Sequence, residues 1–261
     1  MKKKYFGTDG IRGKVGQSPI TPEWCVRLGW AIGCYFLNSG AEAKILIGKD
    51  TRISGYMLES ALQSGLISAG ATVELLGPMP TPGIAYLTRK FEADGAIVIS
   101  ASHNPYEDNG IKIFDGKGEK LQDSNELLIE SLLAQPIKTV QAAELGRANR
   151  VMVAQEQYSE FCASHVASPL TIKDLKIVVD CANGATYQVA PLVFSKLGLN
   201  PIFIASSPDG LNINKDCGST SLEFLRETVA QEKADIGIAF DGDGDRVCLL
   251  DHQGRLVDGD D

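Results

Sequence analysis

The chain alternates short β-branched runs with longer stretches of helical periodicity, and this alternation limits the folds open to it. Apolar runs such as 44–48 and 95–99 are separated by patterns that predict helices. That order of elements is typical of parallel sheets in α/β proteins. The polar stretch 135–150 interrupts the alternation, which then begins again. We therefore predict an α/β fold of two tandem three-layer α/β/α domains with mostly parallel sheets, at 1–150 and 151–261.

The composition excludes several classes of protein. Hydrophobic residues make up 44% of the chain and charged residues 22%, as in ordinary globular domains. No apolar run approaches the roughly 18 residues of a membrane helix. The first ten residues carry lysines without the apolar stretch of a secretory signal. Without a signal or a membrane-spanning run, we expect a cytoplasmic protein that does not bind membranes. Because the net charge is −8, we expect no nucleic-acid partner.

The cysteines and histidines form no pattern typical of a metal site or a disulfide framework. Six cysteines are scattered without a C-x-x-C pair, and His103, His165 and His252 lie far apart in sequence. Neither a zinc site nor a disulfide scaffold is indicated. Free, buried thiols are the expected state of these cysteines.

The sharpest motif is an alternation of aspartate and glycine that follows a predicted buried strand. It contains Asp241, Asp243 and Asp245. Along an extended strand these carboxylates would be ~6 to 7 Å apart, too far to share an ion whose ligands lie at ~2.1 Å. The intervening glycines allow the backbone to curl. Oxygen-only ligands suit Mg²⁺ better than zinc or copper, and a divalent cation would remove the repulsion between like charges.

Two other interpretations of this motif are weaker. A solvated acidic turn would leave like charges close together at the end of an apolar strand. A calcium-binding EF-hand loop that begins at Asp241 would need glycine at its sixth position and glutamate at its twelfth. The chain has Arg246 and His252 there.

A second polar motif, at 100–112, follows another predicted buried strand. Ser102, His103 and Asn104 suggest a hydrolase, but adjacent residues rarely form a nucleophile and base, and no G-x-S-x-G elbow is present. Ligands of open parallel sheets bind beyond the carboxyl ends of the strands. A serine presented there opposite a cation suits phosphoryl transfer, with Lys112 and His103 as cationic and proton-transfer groups. A plain polar loop is the alternative.

The N-terminal segment 5–13 is a third candidate. Its three glycines leave main-chain amides exposed, and the guanidinium group of Arg12 offers a fork suited to a phosphate. In isolation this segment is an ordinary glycine-rich loop.

Together, these motifs are similar to those of the α-D-phosphohexomutase superfamily, and the resemblance covers essentially the whole chain. The segments that carry it are 4–13, 48–55, 77–82, 98–105 and 178–186. They most resemble the bacterial enzymes that interconvert glucosamine 6-phosphate and glucosamine 1-phosphate for UDP-N-acetylglucosamine and peptidoglycan synthesis. The resemblance implies that activity, with phosphomannomutase or phosphoglucomutase activity as the alternative.

The resemblance implies a phosphoserine at Ser102 whose phosphate joins Asp241, Asp243 and Asp245 in binding Mg²⁺. The implied cofactors are Mg²⁺, the phosphoserine itself and a sugar bisphosphate that is both activator and intermediate. Physical chemistry agrees, because a serine phosphate carries close to two negative charges. Cationic groups are therefore needed before an oxygen nucleophile can approach it.

The remaining implied roles fall on cationic and titratable side chains. The resemblance makes His103 and Lys112 candidates for proton transfer. It makes Arg12 and Arg246 candidates for steadying the phosphoryl group. The implied partners are small phosphosugars, and a homodimer is consistent with the resemblance.

Members of the superfamily have four domains, whereas this sequence stops at Asp261, where the second domain would finish. The sugar-recognising loop of the third domain and the phosphate-clamp loop of the fourth lie outside it. We therefore expect a truncated chain with little or no mutase turnover by itself, because nothing in it would hold the distal phosphate.

Two alternatives come from other functional classes. The pattern Phe240-Asp-Gly-Asp is similar to the aspartate pair of haloacid-dehalogenase-like phosphatases, in which an aspartate takes the phosphoryl group. Those enzymes need a lysine and acidic residues downstream of the pair, and almost no chain follows it here. The other alternative is a non-catalytic module that binds sugar phosphates or a metal without turnover.

Overall fold

The β-branched runs form two mixed β-sheets in the computed structural model of the chain, one in each of two compact units. The structure describes residues 3–38, 40, 42–166 and 175–257. The first unit comprises Met1–Ala101 and Glu107–Met152, and the second comprises Ser102–Tyr106 and Val153–Asp261. We call Ser102–Tyr106 the serine segment. The serine segment groups with the second unit although first-unit residues precede and follow it in the sequence.

The first unit contains a six-stranded sheet in the order β1-β5-β4-β2-β3-β6. Its strands are β1 (Ile11–Lys14), β2 (Lys44–Lys49), β3 (Thr72–Pro78), β4 (Gly95–Ile99), β5 (Asp108–Asp115) and β6 (Ala148–Arg150). Its helices are α1 (Pro22–Leu37), α2 (Ser54–Ala69), α3 (Thr81–Lys90) and α4 (Asp123–Leu133). β2, β3, β4 and β6 run parallel, whereas β5 pairs antiparallel with both β4 and β1.

Helices cover both faces of this sheet. Ile45 and Ile47 of β2 share a buried core with residues of α1 and α2, including Leu62. On the opposite face of β2, Gly48 lies against Ile84 of α3. Successive strand residues point to opposite faces, so this alternation gives the three layers that were predicted.

The second unit contains a five-stranded sheet in the order β11-β10-β9-β7-β8. Its strands are β7 (Ile177–Asp180), β8 (Ile202–Ile204), β9 (Ile236–Phe240), β10 (Val247–Asp251) and β11 (Leu256–Val257). Its helices are α5 (Ala154–Ser164), α6 (Thr186–Lys196) and α7 (Glu223–Glu232). β7 is parallel to β8 and β9, and β10 is antiparallel to β9 and β11. Val178 packs with Leu225 of α7, whereas Val179 packs with Ala190 of α6, so this unit also has three layers.

The cysteines are free, as predicted, but the expectation that they are all buried is wrong, because Cys34, Cys162 and Cys248 are partly exposed. Cys25, Cys181 and Cys217 are buried, and burial raises the pKa of each thiol to about 12. These thiols are therefore protonated and unreactive at neutral pH. Within the described ranges, no helix has the length and apolar character needed to cross a membrane.

Helices α1 and α2 pack backbone against backbone. A Cβ atom added at Gly65 of α2 would collide with the carbonyl oxygen of Val26 and lie 2.6 Å from the amide nitrogen of Trp30. A Cβ at Gly29 of α1 would collide with the carbonyl of Leu62 in the same way. The two glycines therefore allow an approach that any larger residue would prevent.

We predict that Gly65→Ala lowers the free energy of unfolding by about 1–3 kcal/mol, because the added methyl group forces the two helices apart. Urea denaturation followed by circular dichroism measures the change. The matched control is Ser64→Ala on the exposed side of α2, which should change stability by less than about 0.5 kcal/mol. Equal stability of Gly65→Ala and the wild type would contradict the close packing.

Candidate functional site

A buried polar network fixes the chain in the first unit just before it reaches Ser102. The hydroxyl of Ser100 donates to the carboxylate of Asp50 at 2.6 Å, and Nε of Arg52 donates to the same oxygen at 2.8 Å. The backbone amide of Asp50 also donates to the carbonyl of Ile99, the last residue of β4. Arg52 is fully buried, so this ion pair is shielded from solvent. Strand β4 therefore ends in a well-defined position.

Ser102 adopts a backbone conformation that is uncommon for a residue with a side chain. Its φ angle is +54°, in the left-handed region. Its hydroxyl donates to Oδ2 of Asp241 at 2.6 Å, and both residues are 1% exposed. Nδ1 of His103 lies 3.5 Å from the same hydroxyl. A left-handed serine held by tertiary contacts is typical of a functional position.

Asp241, Asp243 and Asp245, which we call the carboxylate cluster, lie together within the second unit. Each offers a carboxylate oxygen, and these oxygens are all within 4.8 Å of one another. The backbone curls because Oδ1 of Asp241 accepts from the amides of Asp245 and Arg246, each at 3.2 Å. Burial and the neighbouring carboxylate of Asp243 raise the pKa of Asp241 to about 6. Asp241 and Asp243 are buried and Asp245 is exposed. This oxygen-only, anionic donor set fits a hard divalent cation.

Asp180, at the end of β7, supports the loop that carries the cluster. Its fully buried carboxylate accepts from the amides of Ala182 and Gly218, both at 2.8 Å. The two turns that it joins are bonded to the cluster loop, because Ala185 donates to the carbonyl of Gly242 and Ser219 donates to the carbonyl of Phe240. Asp180 lies in the segment 178–186 that carries the family resemblance, but no individual role was predicted for it.

Asn214 connects the serine segment to the same loop system, and no sequence motif pointed to it. Its Nδ2 donates to the carbonyl oxygens of Ser102 at 2.9 Å and of Asn104 at 3.1 Å. A Cβ at Gly242 would lie 2.6 Å from the Ser102 carbonyl and 2.7 Å from Nδ2 of Asn214. Glycine is therefore needed where the cluster loop meets the serine segment.

The remaining predicted site residues are divided between the units. Arg246 follows the cluster in the second unit and is exposed. Arg12 and Lys112 belong to the first unit, on β1 and β5. The Nε atom of Arg12 is buried and has no hydrogen-bond acceptor among the residues that the structure describes. Its Nη2 lies 3.4 Å from the exposed carboxylate of Asp9.

Family sequence models match both units of the chain. The model of phosphoglucomutase/phosphomannomutase alpha/beta/alpha domain I matches residues 3–139. The model of alpha/beta/alpha domain II from the same family matches residues 156–254. The chain belongs to the phosphoglucomutase/phosphomannomutase family. The resemblance inferred from the motifs is thereby confirmed at the level of the family.

Individual members of the phosphoglucomutase/phosphomannomutase family are also similar to this chain. Proteins named phosphoglucosamine mutase from Pseudomonas fluorescens and Pseudomonas entomophila are each 60% identical to it, over 261 and 260 residues. The chain is covered completely, but it spans 58% of the length of these relatives. A crystal structure of a phosphoglucomutase/phosphomannomutase family protein from Burkholderia thailandensis is 27% identical, with a TM-score of 0.83 over 97% of this chain and 56% of that one.

In this family member the N-terminal motif is held in place by a single carboxylate. Oε1 of Glu130, on α4, accepts from the amides of Tyr5 at 2.7 Å and Phe6 at 3.1 Å. Oε2 accepts from the amide of Lys4 at 2.9 Å. Partial burial opposes ionisation, but the three amide hydrogen bonds outweigh it and lower the pKa of Glu130. The ionised carboxylate therefore anchors the segment that leads to Arg12.

We predict that Glu130→Gln lowers the free energy of unfolding by about 1 kcal/mol at pH 7, because a neutral amide accepts these hydrogen bonds less strongly. A lowered carboxyl pKa stabilises the fold above its ordinary value of 4.5, and that stabilisation is lost as the pH falls through the lowered pKa. The difference between variant and wild type should therefore shrink below pH 4.5.

Denaturant unfolding of Glu130→Gln and the wild type at a series of pH values measures how their stability difference changes with pH. Glu42→Gln, at an exposed position of the same unit, is the control and should match the wild type at every pH. A Glu130→Gln difference that persists unchanged in acid would show that the carboxylate charge has no part in holding the segment.

Proposed function

We propose that this chain transfers a phosphoryl group between Ser102 and a phosphosugar, within the interconversion of glucosamine 6-phosphate and glucosamine 1-phosphate. The observation that carries this proposal is the contact of 2.6 Å between the Ser102 hydroxyl and Asp241, a member of the carboxylate cluster. The choice of sugar is supported by the relatives named phosphoglucosamine mutase that are 60% identical. Other phosphohexoses are the alternative within the family.

In the proposed cycle the phosphorylated form of Ser102 donates first. The bond between phosphorus and Oγ breaks, a bond forms to a free hydroxyl oxygen of the sugar phosphate, and the proton of that hydroxyl moves to a base. The bisphosphate then returns its other phosphoryl group to Oγ. His103 is proposed to hold the proton near Ser102, because its Nδ1 lies 3.5 Å from Oγ.

The carboxylate cluster is proposed to bind Mg²⁺ together with an oxygen of the phosphorylated Ser102. The cluster oxygens lie within 4.8 Å of one another, and Asp241 and Asp243 are each 1% exposed. When bound, Mg²⁺ supplies positive charge that stabilises the phosphoryl oxygens during transfer. The cluster backbone contributes by holding three carboxylates in one place before the ion binds.

Cationic side chains are proposed to handle the phosphate groups of the sugar. Arg12 is suited to this role because its buried Nε has no acceptor within the described part of the chain, and a phosphate oxygen would supply one. Arg246 follows the cluster directly and is exposed to solvent. Lys112, on β5, is proposed as a second group for proton transfer.

We predict that Mg²⁺ stabilises the wild-type chain and that Asp243→Asn abolishes the effect. At a concentration of about 100 times its dissociation constant, a ligand bound only to the folded state adds about 2.7 kcal/mol. Without Mg²⁺, Asp243→Asn should be more stable than the wild type, because it removes one of the crowded like charges. Thermal unfolding with and without Mg²⁺ measures both effects.

The charge-matched control is Glu227→Gln on the exposed side of α7. It should keep the full response to Mg²⁺. A wild-type chain whose unfolding temperature does not change with Mg²⁺, or an Asp243→Asn variant that responds like the wild type, would contradict the assignment of the ion to the cluster.

We predict that incubation with Mg²⁺ and glucosamine 1,6-bisphosphate adds one phosphoryl group to Ser102. Intact mass and peptide fragmentation locate the group, and Ser102→Ala should gain none because the acceptor oxygen is gone. Ser60→Ala, at an exposed serine of α2, is the control and should be labelled like the wild type.

The possible outcomes separate the alternatives. An acyl phosphate on Asp241, cleaved by hydroxylamine, would favour a phosphatase of the haloacid-dehalogenase type. Calorimetric binding of the bisphosphate without any labelling would favour a non-catalytic binding module. Either result would overturn the proposed transfer through Ser102.

A further inference from the structure

We propose that Asn214 is a positioning residue that holds the serine segment so that the Ser102 hydroxyl faces the carboxylate cluster. This inference rests on the proposed function of Ser102 as the phosphoryl acceptor. Asn214 lies in the connection between β8 and α7, in the second unit, far from Ser102 in sequence. It is assigned no contact with substrate, and it acts through the backbone of the serine segment.

Both N–H donors of the Asn214 side chain bond to the serine segment. A side-chain amide has two N–H donors, and Nδ2 of Asn214 donates to the carbonyl oxygens of Ser102 and Asn104 at 2.9 and 3.1 Å. Two bonds from one planar group to two carbonyls separated by one residue fix the direction of the intervening backbone. A single bond would leave that backbone free to rotate about the donor.

The backbone of Ser102 needs such a restraint. A non-glycine residue at a φ of +54° is strained and persists only where its surroundings hold it. The Ser102 carbonyl is the group whose direction changes if the residue relaxes to a negative φ or a different ψ. The hydrogen bond from Asn214 to that carbonyl therefore opposes the relaxation that would carry the hydroxyl away from Asp241.

Asn214 is itself held by the loops that carry the carboxylate cluster. Its φ is +57°, and asparagine is one of the few residues that adopt the left-handed region readily. Its backbone amide donates to the carbonyl of Ala182 at 2.9 Å. Ala182 lies in the turn that Asp180 anchors and that donates to Gly242 of the cluster loop. Asn214 is thus fixed relative to the acceptor of the Ser102 hydroxyl.

Gly242 shows how closely these groups meet. A Cβ at this position would lie 2.6 Å from the Ser102 carbonyl and 2.7 Å from Nδ2 of Asn214, the two atoms joined by the hydrogen bond. The cluster loop therefore packs directly on that bond. Loss of the Asn214 amide would remove the group that sets the spacing between the serine segment and the loop.

The experiment measures the rate at which glucosamine 1,6-bisphosphate phosphorylates Ser102 in the 261-residue chain, in wild type and in Asn214→Gly. Glycine tolerates the left-handed backbone and keeps the bond to Ala182, so the variant removes only the side-chain amide. We expect the maximal rate to fall by about tenfold or more, because a displacement of about 1 Å at a reacting atom is costly. The bisphosphate concentration at half-maximal rate and the calorimetric affinity for Mg²⁺ should be unchanged.

Asn212→Gly is the matched control. Asn212 lies in the same loop, and its Nδ2 donates to the carbonyl of Ser207 rather than to the serine segment. Its maximal rate should stay within about twofold of the wild type. Asn214→Asp is the second variant, because it preserves shape and left-handed tolerance but replaces both donors by an acceptor. Its maximal rate of Ser102 phosphorylation should fall as it does in Asn214→Gly. If Asn214→Gly does not fold, this variant tests the positioning role in its place.

The outcomes are distinguishable. A wild type that labels Ser102 and Asn214 variants that label it equally fast would overturn this inference while the proposed function stands. Parallel losses of rate, Mg²⁺ affinity and thermal stability would show a merely structural role and would also overturn it. A wild type that gains no phosphate on Ser102 would overturn the proposed function and this inference with it.

Discussion

The contact between the Ser102 hydroxyl and the Asp241 carboxylate is the interaction on which the rest of the site depends. At 2.6 Å between two groups that are each 1% exposed, it is a short, charge-assisted hydrogen bond in a poorly solvated place. It brings a potential nucleophile to the one cluster of carboxylates found among the described residues. A phosphate on that oxygen would add negative charge beside three carboxylates. The short distance between the hydroxyl and the cluster would therefore itself create the need for a cation.

Much of the surrounding structure serves to keep this contact in place at a cost in local stability. Ser102 and Ala182 adopt left-handed backbone conformations, each of which costs of order 1–3 kcal/mol unless its surroundings compensate. Asn183 and Asn214 are also left-handed, which asparagine tolerates more readily. Polar side chains supply the compensation: the buried carboxylate of Asp180 accepts from two amides, and the partly buried Asn214 amide donates to two carbonyls. Hydrogen-bond networks of this kind rigidify the loops and specify one arrangement of them.

The fold class could be predicted because strands buried on both faces appear in a sequence as β-branched runs. Helix α1 was not predicted, since its buried residues include a consecutive stretch from Leu28 to Gly33, which hides the helical period. Strand β6 was missed because it is a short, largely exposed edge strand. The serine and the aspartates could be found because each follows a predicted strand, where ligands of parallel sheets bind.

Asn214, Asp180 and Glu130 could not be assigned roles from the sequence for a different physical reason. Each acts on backbone groups, and a backbone amide or carbonyl leaves no signature in the residue type that bears it. The partners are also remote, since Asn214 contacts a segment 112 residues away and Glu130 one 124 to 126 residues away. A local sequence pattern therefore cannot show which loop supplies the backbone hydrogen-bond partners of these side chains.

The grouping of the serine segment with the second unit has a consequence for how gene fragments of this protein can be recombined. The compact units change at three points along the chain, after Ala101, after Tyr106 and after Met152. A gene fragment beginning at Val153 would encode the acids without their hydroxyl donor, and one ending at Met152 would encode the hydroxyl without its acceptor. A single cut after Met152 therefore separates the Ser102 hydroxyl from the three carboxylates, and a C-terminal fragment that keeps them together must also carry Glu107–Met152 of the first unit.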